Sequence, residues 1–160
     1  MWVVGVGYKD GQKDPLGKNV SSDIAELGFS NVTDVKTLQT YVFESEISKE
    51  GVENAAKELF TDNVIQYFNF SKFDENGAHV NNLVKEKNVW VVEVFFKQGV
   101  MDPAGLSVQN ALDILGHKDM KVKTGTFYVI SGNVSEDELK DICSRYLTNE
   151  MIHTYRYHRL

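Results

Sequence analysis

The chain has 160 residues, 42% of them hydrophobic, a formal net charge of −6 and one cysteine. A chain of this size buries roughly 68–70% of its unfolded surface, enough for a real core. The acidic balance excludes the basic face that nucleic acid or an anionic membrane requires. No apolar run reaches the ~18 residues of a membrane-spanning helix. The start, MWVVGVGYKD, lacks a basic n-region, so no signal peptide is expected. One cysteine, Cys143, forms no intrachain disulfide and fits a reducing, cytoplasmic setting.

The chain opens on an alternating segment, Trp2 to Tyr8, with Trp2, Val4, Val6 and Tyr8 on one side, as expected for a strand. KDGQKDPLG follows. Asp14 is placed to cap a helix, Pro15 fits its first turn, and Gly11 allows a positive φ on leaving the strand. Val20, Ile24 and Leu27 share one helical face, and Gly28 is placed to end the helix. A β-rich stretch over about 32–45 comes next. It is long enough to bend or to extend beyond its own unit. A second helix opens at Ser48, with Val52, Ala55, Ala56, Leu59 and Phe60 as its apolar stripe, and a last strand is expected at about 64–70.

The same sentence is then written again. WVVGVGYKDGQKDPLGKNVSSDIAELG from Trp2 aligns with WVVEVFFKQGVMDPAGLSVQNALDILG from Trp90, with twelve identities in 27 positions at an offset of 88. After one deletion near Thr33 the offset becomes 87. VKTLQTYVF then meets VKTGTFYVI, and KELFTDNVIQYFNF meets SRYLTNEMIHTYRY. Chance does not produce this. Residues 1–70 and 89–160 are two β-α-β-α-β units, joined by a polar linker over 71–88 that contains Asn76-Gly77. A short helical turn is expected near Val84–Lys87. Ser135-x-x-Glu138 has the spacing of a capping box. Thr124-Gly125-Thr126 reads as a strand bulge.

A unit of about 70 residues is marginal alone, burying only ~60% of its surface. The expected fold is therefore α+β, a two-layer sandwich in which two repeated units form a covalent pseudo-dimer. Tyr67, Phe68, Phe70, Tyr155 and Tyr157 make the last strands apolar on both faces, and such strands need two covers. The unit's own helices are one. The sister unit is the favoured second, with a foreign subunit as a further layer. Residues 1–70 carry a net charge of −5 and residues 89–160 a net charge of −1, so the two halves present different outer faces.

Catalytic candidates are weak. Cys143 lies on the apolar stripe of the second unit's last helix, where Ala56 stands in the first. It reads as a small buried hydrophobe. His153 and His158 point to opposite sides of a strand, with His79 in the linker and His117 in a loop, which is not metal-ligand spacing. Glu136, Asp137 and Glu138 open a helix and favour its dipole. No catalytic residue, cofactor or metal is expected in this chain alone.

The strand followed by Lys-x-Gly-x-x-Asp-Pro-x-Gly, the helix ending Leu-Gly, Val-Lys-Thr-Gly before a strand, and the late YLTNEMIHTYRY segment resemble the PurS family, the small subunit of phosphoribosylformylglycinamidine synthase. The second copy fits best. The first departs at Leu38, which stands where the second has Gly125, at Asp23, where the second has Ala111, and at Asp62-Asn63, where the second has Asn149-Glu150. The resemblance implies a non-catalytic subunit of purine biosynthesis. It would bridge the large ATP-using amidoligase subunit and the glutaminase subunit; further self-association stays open. The elbows then become candidate partner surface, through Lys9, Asp14, Pro15 and Gly17 and through Lys97, Asp102, Pro103 and Gly105. The alternative is a tandem sensor that binds a metabolite between its repeats, which would need a polar pocket at the repeat interface.

Overall fold

The computed structural model describes all residues, 1–160. In chain order it has β1 (Trp2–Tyr8), α1 (Pro15–Glu26), β2 (Val32–Phe43), α2 (Lys49–Ala55), β3 (Gln66–Lys72), α3 (Val80–Leu83), β4 (Trp90–Phe96), α4 (Pro103–Ile114), β5 (Val122–Gly132), α5 (Glu136–Ile142) and β6 (His153–Arg159). Both α2 and α5 continue into a wider π-helical turn, Ala56–Phe60 and Cys143–Leu147. No helix is long and apolar enough to cross a membrane.

The local signals act where the residues place them. Asp14 and Asp102 cap α1 and α4, with Pro15 and Pro103 in the first turn. Gly28 and Gly116 leave those helices at φ +98° and +95°. Ser135 and Glu138 form the capping box of α5, and the Ser48 hydroxyl accepts from the Gly51 N–H at 3.0 Å.

The strands form one antiparallel sheet in the order β3-β1-β2-β5-β4-β6. Its centre is the ladder between β2 and β5, the long strands that leave their own repeats and pair with each other. Gln39 faces Thr126 there, and these two are counterparts in the repeat. On either side of them the pairs exchange under the repeat, Leu38 with Phe127 and Thr40 with Gly125. A pseudo-two-fold axis therefore passes between Gln39 and Thr126.

The axis also exchanges helices. One core joins Val20 and Ile24 of α1 and Val35 of β2 to Val92, Val94, Ile130, Leu139, Ile142 and Cys143 of the second repeat. The mirror core joins Leu112 of α4 and Val122 of β5 to Val4, Val6, Phe43, Val52, Ala55, Ala56 and Phe60 of the first. Each core thus takes a helix from the other repeat. Asp23, which breaks the expected apolar face of α1, accepts a hydrogen bond from the Tyr146 hydroxyl of the second repeat.

Two expectations are corrected. The sister repeat does not cover the second face of the strands. It joins edge to edge, because β2 and β5 use their unpaired N–H and C=O groups on each other. The second face is covered instead by the linker, whose Val80, Leu83 and Val84 pack on Val3, Leu38, Val42, Val89, Val91, Phe95, Phe127 and Val129. Nor is Thr124-Gly125-Thr126 a bulge. Gly125 pairs in regular register with Phe95 and Thr40, and the irregularity in the sheet lies between Val32 and Asp34. Gly125 is small because an added Cβ would meet the Phe95 ring at 2.5 Å and the Val94 carbonyl oxygen at 2.7 Å.

Candidate interaction surface

The repeated elbow is built twice on one plan. β1 ends at Tyr8, the Gln12 N–H turns back to the Lys9 carbonyl at 3.0 Å, and Gly11 takes φ +79°. The Asp14 carboxylate then accepts from the Gly17 N–H at 2.8 Å, from the Thr37 N–H at 2.6 Å and from the Thr37 hydroxyl at 2.9 Å. After β4, the Val100 N–H donates to the Lys97 carbonyl at 3.1 Å and Gly99 takes φ +83°. Asp102 accepts from the Gly105 N–H at 2.9 Å, the Thr124 N–H at 2.6 Å and the Thr124 hydroxyl at 2.8 Å. Each aspartate therefore does more than cap a helix: it ties the helix start to the neighbouring strand. Thr37 and Thr124, two residues into Val-Lys-Thr, supply that tie, and sequence reasoning did not connect them to the elbow.

The other repeated residues are also engaged within the chain. Lys9 Nζ donates to the Asn63 carbonyl at 2.6 Å, and Lys97 Nζ donates to the Glu150 carbonyl. These bonds pin the loops that precede β3 and β6. Gly17 and Gly105 are buried, and an added Cβ would lie 2.4 Å from the Val35 carbonyl oxygen and 2.8 Å from that of Val122. Pro15, Pro103, Lys9 and Lys97 are exposed, while Asp14 and Asp102 are half-buried. Thus the shared residues set the shape of the elbow, and the residues between them face outward.

Those outward residues differ. The first elbow shows Asp10, Gln12 and Lys13, and the second shows Gln98, Val100 and Met101 at the same steps. Met101 is 72% exposed, and Met151, in the loop pinned by Lys97, is 84% exposed. Beside the first elbow lies an open groove of about 610 Å³, walled by Lys36, Tyr67 and the linker residues Lys85 and Glu86. Lys36 pairs with Glu86 at 3.0 Å, and the Lys85 ammonium sits 4.0 Å from the centre of the Tyr67 ring. Burial, with Glu86 and Asp10 nearby, pushes the Tyr67 phenol up to about 12. The matching groove at the second elbow, about 480 Å³, is walled by Glu44, Phe96 and Lys123, without any linker residue. Both grooves carry charged side chains, but the second elbow shows Val100 and Met101 where the first shows Gln12 and Lys13.

The remaining titratable groups fall elsewhere. Cys143 is fully buried, and burial pushes its thiol up to about 12, so it is a packed hydrophobe and not a thiolate. His153 lies beside Phe96 with the rings tilted by 42°, and it accepts from the Asn149 N–H at 3.0 Å. His79 and His158 meet at a buried glutamate on the other side of the sheet.

A single antiparallel sheet built from two exchanged β-α-β-α-β units, with an elbow at each end, defines a duplicated α+β protein with an internal pseudo-two-fold axis. The PurS family model, described as phosphoribosylformylglycinamidine synthase, matches residues 2–73 and again residues 89–160. The chain belongs to that family, and carries its unit twice. It is also similar to a protein of Bacillus subtilis (strain 168) named phosphoribosylformylglycinamidine synthase subunit PurS. The two are 32% identical over 71 residues, which span 41% of this chain and 84% of that protein. One such relative therefore corresponds to one repeat.

Proposed function

We propose that this chain is the small, non-catalytic subunit of a phosphoribosylformylglycinamidine synthase, and that it bridges the large amidoligase subunit and the glutaminase subunit in cytoplasmic purine biosynthesis. The observation that carries this reading is the family match over both repeats. The geometry supports it. Two elbows of one shape sit on a single sheet with different outward residues, Asp10, Gln12 and Lys13 on one and Gln98, Val100 and Met101 on the other, and two unlike surfaces suit two unlike neighbours. The contact surface comprises the exposed Lys9, Pro15, Lys97 and Pro103 with the outward residues between them. Asp14, Gly17, Asp102 and Gly105 hold its shape from inside.

The test is reconstitution. Purified chain is mixed with the large and glutaminase subunits, and glutamine-dependent formation of the amidine is followed. The chain alone turns over neither ATP nor glutamine, and the three together are active. Activity that is the same with and without the chain would sink the proposal. Exchanging Met101 for Lys, the residue at the same step of the first elbow, weakens one partner's binding and leaves the other's unchanged.

A further inference from the structure

Glu93 is the only fully buried carboxylate in the chain, and it lies on the face of β4 that turns away from α1, α2, α4 and α5. Its counterpart in the first repeat is Gly5. Three side chains converge on it. His79 Nε2 lies 2.8 Å from Oε1, Arg156 Nη2 lies 3.2 Å from the same oxygen, and His158 Nε2 lies 2.6 Å from Oε2. The Asp74 N–H donates to His79 Nδ1 at 3.2 Å, so the proton of the neutral ring sits on Nε2 and is given to Glu93.

The bonds reach from β4 and β6 into the linker. Arg156 also donates to the Glu75 carbonyl at 2.5 Å, and Phe73 stacks on His79 with ring centres 4.7 Å apart. Gly77, at φ +86°, rests on the His158 ring so closely that a Cβ would fall 2.1 Å from its Cε1. With 73–79 held in this way, Val80, Leu83 and Val84 are laid on the apolar face of the sheet. An apolar residue in place of Glu93 would fill the same space without a desolvation cost. A buried carboxylate with three donors instead dictates one position for the segment that carries them. The relative from Bacillus subtilis matches one repeat and has no second repeat to which a linker could lead.

We propose that residues 73–88 form a latch: a cover that opens as its own unit, is caught at Glu93, and on release uncovers an apolar sheet face while the six-stranded sheet stays paired. The latch rests on Phe73, Val80, Leu83 and Val84 and one polar catch, whereas β2 and β5 are tied by an eleven-pair ladder. Segments with few buried contacts open at lower free energy than core strands. This inference does not depend on the role proposed for the whole chain.

The experiment is amide hydrogen exchange on the full chain, with the apolar dye ANS as a second probe. Wild type, Glu93→Leu and Gly77→Ala are compared at neutral pH. The first variant removes the carboxylate of the catch, and the second keeps Glu93 but crowds the segment against His158, one of its three partners. In both, the amides of Val80 to Val84 exchange at least about tenfold faster, ANS fluorescence rises, and amides of β2 and β5 keep wild-type rates. In wild type at low denaturant, the latch amides exchange before those of β2 and β5. Latch rates unchanged in both variants would overturn the proposal. So would latch and ladder amides that open only together in wild type, a measurement that stands even if Glu93→Leu fails to fold.

Discussion

The Phe95 ring lies over Gly125, and in the first repeat the counterparts of these two residues are Gly7 and Leu38. At Gly7, the counterpart of Phe95, the bulk comes from Tyr67 of β3, whose hydroxyl would lie 2.9 Å from an added Cβ. An added Cβ on Gly5, two residues from Gly7, would come within 3.1 Å of Leu38. In the first repeat, Tyr67 of β3 over Gly7 and Leu38 of β2 beside Gly5 thus fill space where the second repeat has Phe95 on β4. Gly125→Ala overpacks this site and costs about 1–3 kcal/mol by urea unfolding. Combining Gly125→Leu with Phe95→Gly recovers part of the loss of the single changes, with a coupling of about 1 kcal/mol or more in a double-mutant cycle. Additive losses would show that the two sites are not one packed volume.

Asp14 and Asp102 each accept from a helix N–H, a strand N–H and a threonine hydroxyl. Asp102→Ala and Asp14→Ala lose the cap, typically about 1 kcal/mol, and leave strand donors unpaired, which raises the total to roughly 2–3 kcal/mol. Asp→Asn keeps an acceptor and loses less. Chemical denaturation orders the variants Ala below Asn below wild type at both elbows.

Each core takes a helix from the other repeat. Residues 1–72 and 88–160, expressed apart, therefore have no folded monomeric form. Circular dichroism of each half is expected to depend on concentration, and mixing the halves restores the cooperative transition of the full chain. A half that unfolds cooperatively as a monomer would contradict the exchanged packing.

Burial alone would raise the Glu93 carboxyl. The hydrogen bonds from His79 and His158 and the charge of Arg156 outweigh that and hold it below the ordinary value of 4.5. A depressed carboxylate adds stability that is fully present above its unfolded value and is lost as pH falls through the lower folded value. The part of the stability lost on Glu93→Leu that comes from its carboxylate therefore shrinks as pH falls below about 4.5. Denaturation series at several pH values measure it, and a difference that grew on acidification would have the wrong sign.

Cys143 is buried with its thiol pushed up to about 12. It reacts with a thiol reagent only when the chain opens. Labelling in buffer is expected to be at least about a hundredfold slower than in denaturant, because only the thiolate attacks and the native fold withholds it. Cys143→Ala, which installs the residue found at Ala56, retains the fold.

Much of the molecule can be read from its residues because the physics is local. Asp-Pro three residues ahead of a glycine is a helix start whatever surrounds it, and Gly11 and Gly99 announce turns. Ser135 and Glu138 cap a helix within one turn. The elbow residues, though, read as surface, and the structure turns half of them inward. Their partners, Thr37 and Thr124, are more than twenty residues away, and no local signal joins them. His79 and Glu93 were each visible as a residue type, but a strand position and a linker position reveal nothing of each other until both are placed.

By itself, the amino-acid order determined that one unit is written twice, where its helices and strands begin, and which side of each is apolar, since these follow from spacing along the chain. Only the tertiary structure decided what covers each apolar side. The repeats meet edge to edge through β2 and β5, the helices are exchanged, and the linker closes the open face over Glu93. Periodicity marks a surface that must be hidden from water, but it carries no label for the distant segment that hides it.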